Sequence, residues 1–211
     1  MSSKPTLKKN IKKQPKQSAR EKILEAALKL FSLKGYTSSA TKDIAKEAGV
    51  AEVTLFRQFS SKEFLFEEVL SNYSFLPTLK NTLPEIRGMN YEDALYLIAS
   101  RFLEMLKLRK DFIKIMQTEF RTYPEKIHEI YFGFISEMFR YLASYFDELQ
   151  KSGKLRPFDT TLAARAFLGM FFSYFNATEY MMLRKYMPDN EKETVKEYVS
   201  IFINGTAKNF K

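Results

Sequence analysis

Cysteine is absent from the 211 residues of the chain, and histidine occurs once. The first absence excludes disulfides, thiolate metal sites and cysteine nucleophiles, and agrees with a cytoplasmic location. Around the lone His128, which follows Pro124 among charged residues, no nucleophile–base constellation and no metal-ligand cluster is visible. His128 is expected at an exposed helix position, and neither an enzyme nor a bound metal or other cofactor is expected. Glycine and proline are scarce, at seven each, and no segment alternates as a β-strand would. No glycine-rich phosphate loop is present. The lysine-bearing N-terminus lacks the apolar stretch of a secretory signal. The uncharged run 166–178, bracketed by Arg165 and Glu179, is 13 residues long. A membrane span needs about 18 or more apolar residues, so this run reads as a buried core helix and no membrane partner is expected.

What remains is apolar, basic and helix-forming. Hydrophobic residues make up 45% of the chain, enough for a core. The net charge of +9 is uneven: residues 1–20 hold Lys4, Lys8, Lys9, Lys12, Lys13, Lys16 and Arg20 with no acid, which leaves +2 for the rest. Residues 1–17, with Pro5 and Pro15, read as a disordered basic arm. Such arms bind nucleic-acid phosphates, or serve only as a solvated extension; both readings stand at this point.

Helical periodicity then begins near Ser18, with Ile23, Ala26, Ala27, Leu30 and Phe31 on one face and Gly35 as the stop. A short helix follows over about 41–48, with Ser39 as its N-cap, then Gly49, then another over about 52–59. A fourth starts in a capping-box pattern, Ser60 as cap and Glu63 at the third position, and ends before Pro77. Longer helices are predicted over about 91–106, 110–123, 124–152, 159–184 and from 190 to about Phe210. The expectation is an all-α protein of about nine helices. An N-terminal three-helix domain over 18–77 is expected to precede a longer helical domain over 78–211.

The informative stretch is Ile44-Ala45-Lys46-Glu47-Ala48-Gly49-Val50 followed by Leu55. Two short helices that cross steeply need a small residue at the contact and a turn residue that accepts positive φ. Ala45 and Gly49 meet those needs. From Ile23-Leu24-Glu25-Ala26-Ala27 through Leu30-Phe31 and Lys34-Gly35-Tyr36, the chain resembles the TetR (tetracycline-repressor) family. The resemblance continues through Thr41 to Val50, Thr54-Leu55-Phe56-Arg57-Gln58-Phe59 and Ser61-Lys62-Glu63-Phe64-Leu65, about fifty residues in order. Beyond them it rests on length, helix order and Gly153-Lys154-Leu155-Arg156 before a long apolar helix.

The resemblance implies a helix-turn-helix regulator whose helix at about 52–58 enters the major groove of double-stranded DNA. Glu52, Val53, Thr54 and Arg57 are the candidates for base edges or nearby phosphates, with Glu52 able to accept from cytosine and Thr54 to meet thymine. Ser39, Thr41, Lys42, Gln58 and Lys62 would lie along the backbone and position the domain. Phe56 stands where the family usually has a phosphate-binding Tyr, so it packs or makes an apolar base contact. Ala51 stands where a capping residue is common, which weakens the start of that helix. Leu55 and Phe59 read as core.

The resemblance further implies a cavity for a small apolar or amphipathic effector, for which Phe102, Met105, Phe112, Met116, Phe120, Tyr131, Phe134, Phe171, Tyr174 and Phe175 are candidates. A homodimer through the last two helices is expected, with stripes at Ala163, Ala166, Phe167, Met170 and Tyr174 and at Val195, Tyr198, Val199 and Phe202. Two-fold pairing predicts a pseudo-palindromic operator with recognition helices about 34–36 Å apart. Ligand binding would shift the helix at about 61–74 and release a repressor. The alternative is a ligand-independent DNA-binding or nucleoid-associated protein.

Overall fold

The computed structural model describes residues 17–181 and 183–208. The predicted arm, apart from Gln17, and the predicted reach of the last helix to Phe210 lie outside them. The described residues are all-α: α1 (Ala19–Lys34), α2 (Thr41–Glu47), α3 (Glu52–Gln58), α4 (Lys62–Tyr73), α5 (Phe75–Glu85), α6 (Tyr91–Leu108), α7 (Lys110–Glu119), α8 (Glu125–Lys151), α9 (Thr160–Glu179), α10 (Leu183–Tyr186) and α11 (Glu191–Thr206). A turn of 3-10 helix, Phe120–Thr122, joins α7 to α8.

Among the described residues there are eleven α-helices where about nine were expected, for local reasons. Pro77 does not end the helical region but sits in the first turn of α5, where the missing N–H has no intrahelical partner to lose. Ser74 closes α4 and caps α5, accepting from the Leu76 N–H. The long helix expected over 159–184 stops at Glu179, and a single further turn, α10, follows.

Two caps also differ from expectation. Ser61, not Ser60, caps α4, accepting from the Phe64 N–H at 3.1 Å. Ala40, not Ser39, caps α2, with no side-chain hydrogen bond. The Ser18–Glu21 capping box of α1 is complete.

Two hydrophobic clusters form, and their border is not the expected one at 77/78. The body cluster takes Phe75 and Leu76 of α5, one face of α6, and the inner faces of α8, α9 and α11, including Phe146, Phe167, Phe171 and Phe175. The head cluster takes Ile23, Phe31, Ile44, Leu55, Phe59 and Phe66, and then four residues from far along the chain: Phe112 and Met116 of α7, Tyr123, and Ile127 of α8. The N-terminal head therefore completes its core with α7 and the start of α8.

Candidate nucleic-acid interface

The head presents α3 through the turn that precedes it. Gly49 has φ +67°, and a Cβ there would meet no neighbour, so the backbone angle alone calls for glycine. The Val50 N–H donates to the Ala45 carbonyl at 3.0 Å, which folds the turn back on α2. Ala45 is buried where the two helices meet, as the spacing predicted. Leu55 and Phe59 are fully buried and anchor the inner face of α3.

The outer face of α3 is then fixed by periodicity. Val53 is 76% exposed and Phe56 45% exposed, and Arg57 and Gln58 are exposed beside them. An apolar face left in water on a seven-residue helix does nothing for the fold. It suits the thymine methyl and the apolar parts of a groove wall, with Arg57 and Gln58 as donors.

The remaining predicted contact residues divide into three groups. Lys42 is exposed near the start of α2. Thr41, Glu52 and Thr54 are partly buried. The Thr41 hydroxyl donates to Glu52 Oε1 at 2.8 Å and ties the start of α2 to the start of α3. No side chain caps α3 at Ala51, as expected, and Glu52 in its first turn complements the helix dipole instead.

Lys62 and Ser39 depart from the reading as surface residues. The Lys62 amine lies 4.3 Å from the Tyr36 ring centroid and donates to the Thr37 carbonyl at 3.3 Å. Burial lowers its pKa, outweighing the attraction of Glu63. Ser39 is fully buried, and its hydroxyl donates to the Gly35 carbonyl at 2.7 Å. That side chain closes the α1–α2 turn and does not face outward.

Sequence reasoning missed the residues that brace this head. The buried Tyr36 hydroxyl donates to Glu63 at 3.0 Å, and burial first, then Glu63, raises its pKa. Glu63 is held below the usual carboxylate range by its own backbone N–H, Ser61, Tyr36 and Lys62, against burial. The Arg20 guanidinium bonds Glu68 and lies over the Phe59 ring, 5.1 Å from its centroid. Glu119 presses its carboxylate against Gly35, into the space a Cβ would take. Apart from those of Glu63 with its own backbone, Ser61 and Lys62, these contacts join residues 27 to 84 positions apart, so no local pattern announces them.

His128 is a further correction. It is partly buried, hydrogen-bonds the Phe120 carbonyl at 2.7 Å and packs at a tilt against the Phe120 ring. No group of three or more metal-ligating side chains occurs among the described residues.

The residues expected to line a ligand cavity are divided between the two hydrophobic clusters. Phe102, Phe171, Tyr174 and Phe175 are packed in the body cluster, with Met105 against it, whereas Phe112 and Met116 are packed in the head cluster, with Phe120 and Tyr131 against it. Phe134 touches both clusters. One cleft, of about 390 Å³, lies between α6 and α11, lined by Tyr96, Leu103, Lys107 and Glu191 among others. Another, of about 300 Å³, lies between α4 and α8, and of the ten candidates only Phe134 lines it.

Comparison with known proteins settles the family. Residues 23–69 match the model for bacterial regulatory proteins of the tetR family. Residues 93–205, more than half of the chain, match that for the AefR-like transcriptional repressor C-terminal domain. The chain belongs to the TetR family. YvkB of Bacillus subtilis, an uncharacterised HTH-type transcriptional regulator, is 33% identical over 155 residues, covering 74% of this chain and 80% of the relative. The HTH-type transcriptional repressor KstR2 of Rhodococcus jostii is 27% identical over 199 residues, covering 91% and 93% of the two chains. Among solved structures, NalD of Pseudomonas aeruginosa superposes with a TM-score of 0.63 at 20% identity, covering 92% of this chain and 97% of that one. This TetR-family chain is thus a DNA-binding transcriptional regulator.

Proposed function

We propose that the protein is a repressor that holds a pseudo-palindromic operator as a symmetric dimer and releases it when a small apolar or amphipathic ligand binds the body. Neither catalysis nor a cofactor enters this reading. The observation that carries it is the outward face of α3, where Val53, Phe56, Arg57 and Gln58 stand in solvent on a helix pinned from behind by Leu55 and Phe59. The names of KstR2 and of the AefR-like C-terminal model support repression over activation.

Pairing through α9 and α11 remains the reading, on faces shifted from the sequence stripes. Phe167, Tyr174, Val195, Val199 and Phe202 are buried in the chain's own body. Outward lie Leu162, 61% exposed, then Ala166, Gly169 and Ser173 at helical spacing on α9, and Ile201, 55% exposed, with Gly205 on α11. A glycine inside a helix costs about 1 kcal/mol relative to alanine. A Cβ on Gly169 or Gly205 would meet nothing within the chain, so its absence is explained by a second chain approaching closely.

Release would act through the contacts between body and head. Ligand binding changes the operator equilibrium only through unequal affinity for the two states. α4 carries such a change, as expected from sequence, and α7 is a second carrier because Phe112 and Met116 lie in the head core.

The test is selection of duplexes from a random library by the full chain, followed by competition with bulk DNA. The reading expects enrichment of an inverted repeat bound by two chains; no enrichment overturns it. The ligand-independent alternative is favoured by the packing of the candidate pocket residues into two separate clusters. It would be supported if apolar compounds raised thermal stability without loosening the selected duplex.

A further inference from the structure

The larger of the two clefts, about 390 Å³, follows one stripe of α6. Tyr96, Ser100, Leu103 and Lys107 line it at helical spacing, a run of about 16 Å at 1.5 Å per residue. The start of α11 forms the opposite wall through Glu191, Lys192 and Val195. The Lys107–Glu191 pair at one end and the Tyr91–Thr206 hydroxyl contact at the other set the two helices antiparallel. Polarity changes along the cleft. Tyr96 and Ser100 offer hydroxyls at one end, buried Leu103 and Val195 make the middle apolar, and Lys107 and Lys192 stand at the far end.

The charged end is arranged for an anion. Glu191 accepts from Lys107 through both oxygens and from Arg184 at 2.6 Å. Burial would raise its pKa, yet these two cations hold it below the usual carboxylate range. A negative charge is therefore stable there in spite of desolvation, beside the positive N-terminus of α11. Lys192 adds an exposed cation at the rim, and Glu104 an exposed acid. Because Arg184 also pairs Glu191, Lys107 can turn to a ligand oxygen without leaving that carboxylate unpaired.

Resting on the reading that a small ligand releases the operator, we infer that the α6–α11 cleft binds an amphipathic carboxylic acid, its carboxylate on Lys107 and Lys192 and its chain along Leu103 and Val195 toward Tyr96. The site has a short route to the head. Lys107 lies in the last turn of α6, and Arg109 joins α6 to α7, whose Phe112 is part of the head core. The Arg109 guanidinium also lies over the ring of Tyr73, the last residue of α4, 5.0 Å from its centroid. A ligand held by Lys107 thus acts on both helices that carry change from body to head.

The probes are decanoate, decanol and decylammonium, each below its micelle-forming concentration. They are titrated calorimetrically into the full chain and into full-length Lys192→Gln, Lys107→Met and Ser100→Phe variants. The inference expects decanoate to bind once per chain and at least about ten-fold more tightly than decanol, the worth of one charge-assisted hydrogen bond, with decylammonium weaker still. Lys107→Met and Lys192→Gln should narrow the gap between acid and alcohol, because they remove charge and leave the apolar wall. Ser100→Phe, which fills the cleft, should weaken decanoate at least about ten-fold. Thermal melts check the fold of each variant, and Lys192→Gln changes only an exposed residue, so its result stands if another variant fails to fold. Decylammonium binding as tightly as decanoate, an unchanged gap in both lysine variants, full affinity in Ser100→Phe, or no binding of any probe overturns the inference. So does conversion of a dimer to a monomer by Ser100→Phe, which would make the cleft a seat for a second chain. Calorimetry uses no DNA and judges the cleft by itself. Decanoate held in the cleft while the selected duplex stays bound would keep the site and end the reading of release by ligand.

Discussion

The head and the body use apolar side chains in opposite ways. In the body, Phe146, Phe167, Phe171 and Phe175 are all fully enclosed and fill volume between helices. On α3 of the head, Val53 and Phe56 face water while Leu55 and Phe59, their near neighbours in sequence, are fully buried. The same residue classes thus mean packing in one region and an exposed face in the other. What separates them is whether a second element of the chain covers the face. The two regions are not independent, because Phe112, Met116, Tyr123 and Ile127 come from the sequence of the body and finish the core of the head.

That contrast can be broken most forcefully in the body. Phe171→Ala is expected to cost about 3–5 kcal/mol of stability, read as a lower denaturation midpoint; a loss under about 1 kcal/mol would mean that the site is a tolerant cavity rather than packed core. Next, Met116→Ala is expected to cost about 2–5 kcal/mol and to weaken operator binding as well. If DNA binding by the folded variant were unaffected, the shared core would not support the head.

On α3 the expectation reverses. Val53→Asp and Arg57→Ala are each expected to weaken the selected duplex by about 1–3 kcal/mol, roughly five- to 160-fold, with melting temperature nearly unchanged. Equal loss on stability and binding would return these residues to the core. Thr41→Val removes the hydroxyl that donates to Glu52 and is expected to cost about 0.5–1.5 kcal/mol of head stability by chemical denaturation.

The smallest effect is in pH. Glu63 has a lowered pKa in the folded head, so its stabilisation is complete above its ordinary value of 4.5 and fades as pH falls through the folded value. Glu63→Gln should therefore flatten the acid limb of the stability curve and leave the neutral region little changed in shape. An acid limb identical to that of the parent chain would remove Glu63 from the brace.

Much of the head was legible because its signals are local. The Ala45–Gly49 spacing, the inner face of Leu55 and Phe59, and the uncapped start at Ala51 all follow from residues a few positions apart. The body was legible in helix order but not in function. Phe112 and Phe171 look alike in sequence, and only tertiary contact assigns one to the head and the other to the body. The same limit misplaced the outward faces of α9 and α11 by part of a turn, because both sides of those helices carry apolar or small residues. Ser39 and Lys62 failed as surface residues for a related reason: short polar and long basic side chains satisfy backbone carbonyls when a turn folds over them.

Footprinting of the selected duplex by hydroxyl radicals and by major-groove methylation probes the central claim most directly. Two protected major-groove patches, centred about one helical turn apart and lost together in Arg57→Ala, are the result expected of two α3 helices presented by one dimer. A single protected patch, or even protection along the duplex with no groove preference, would contradict it.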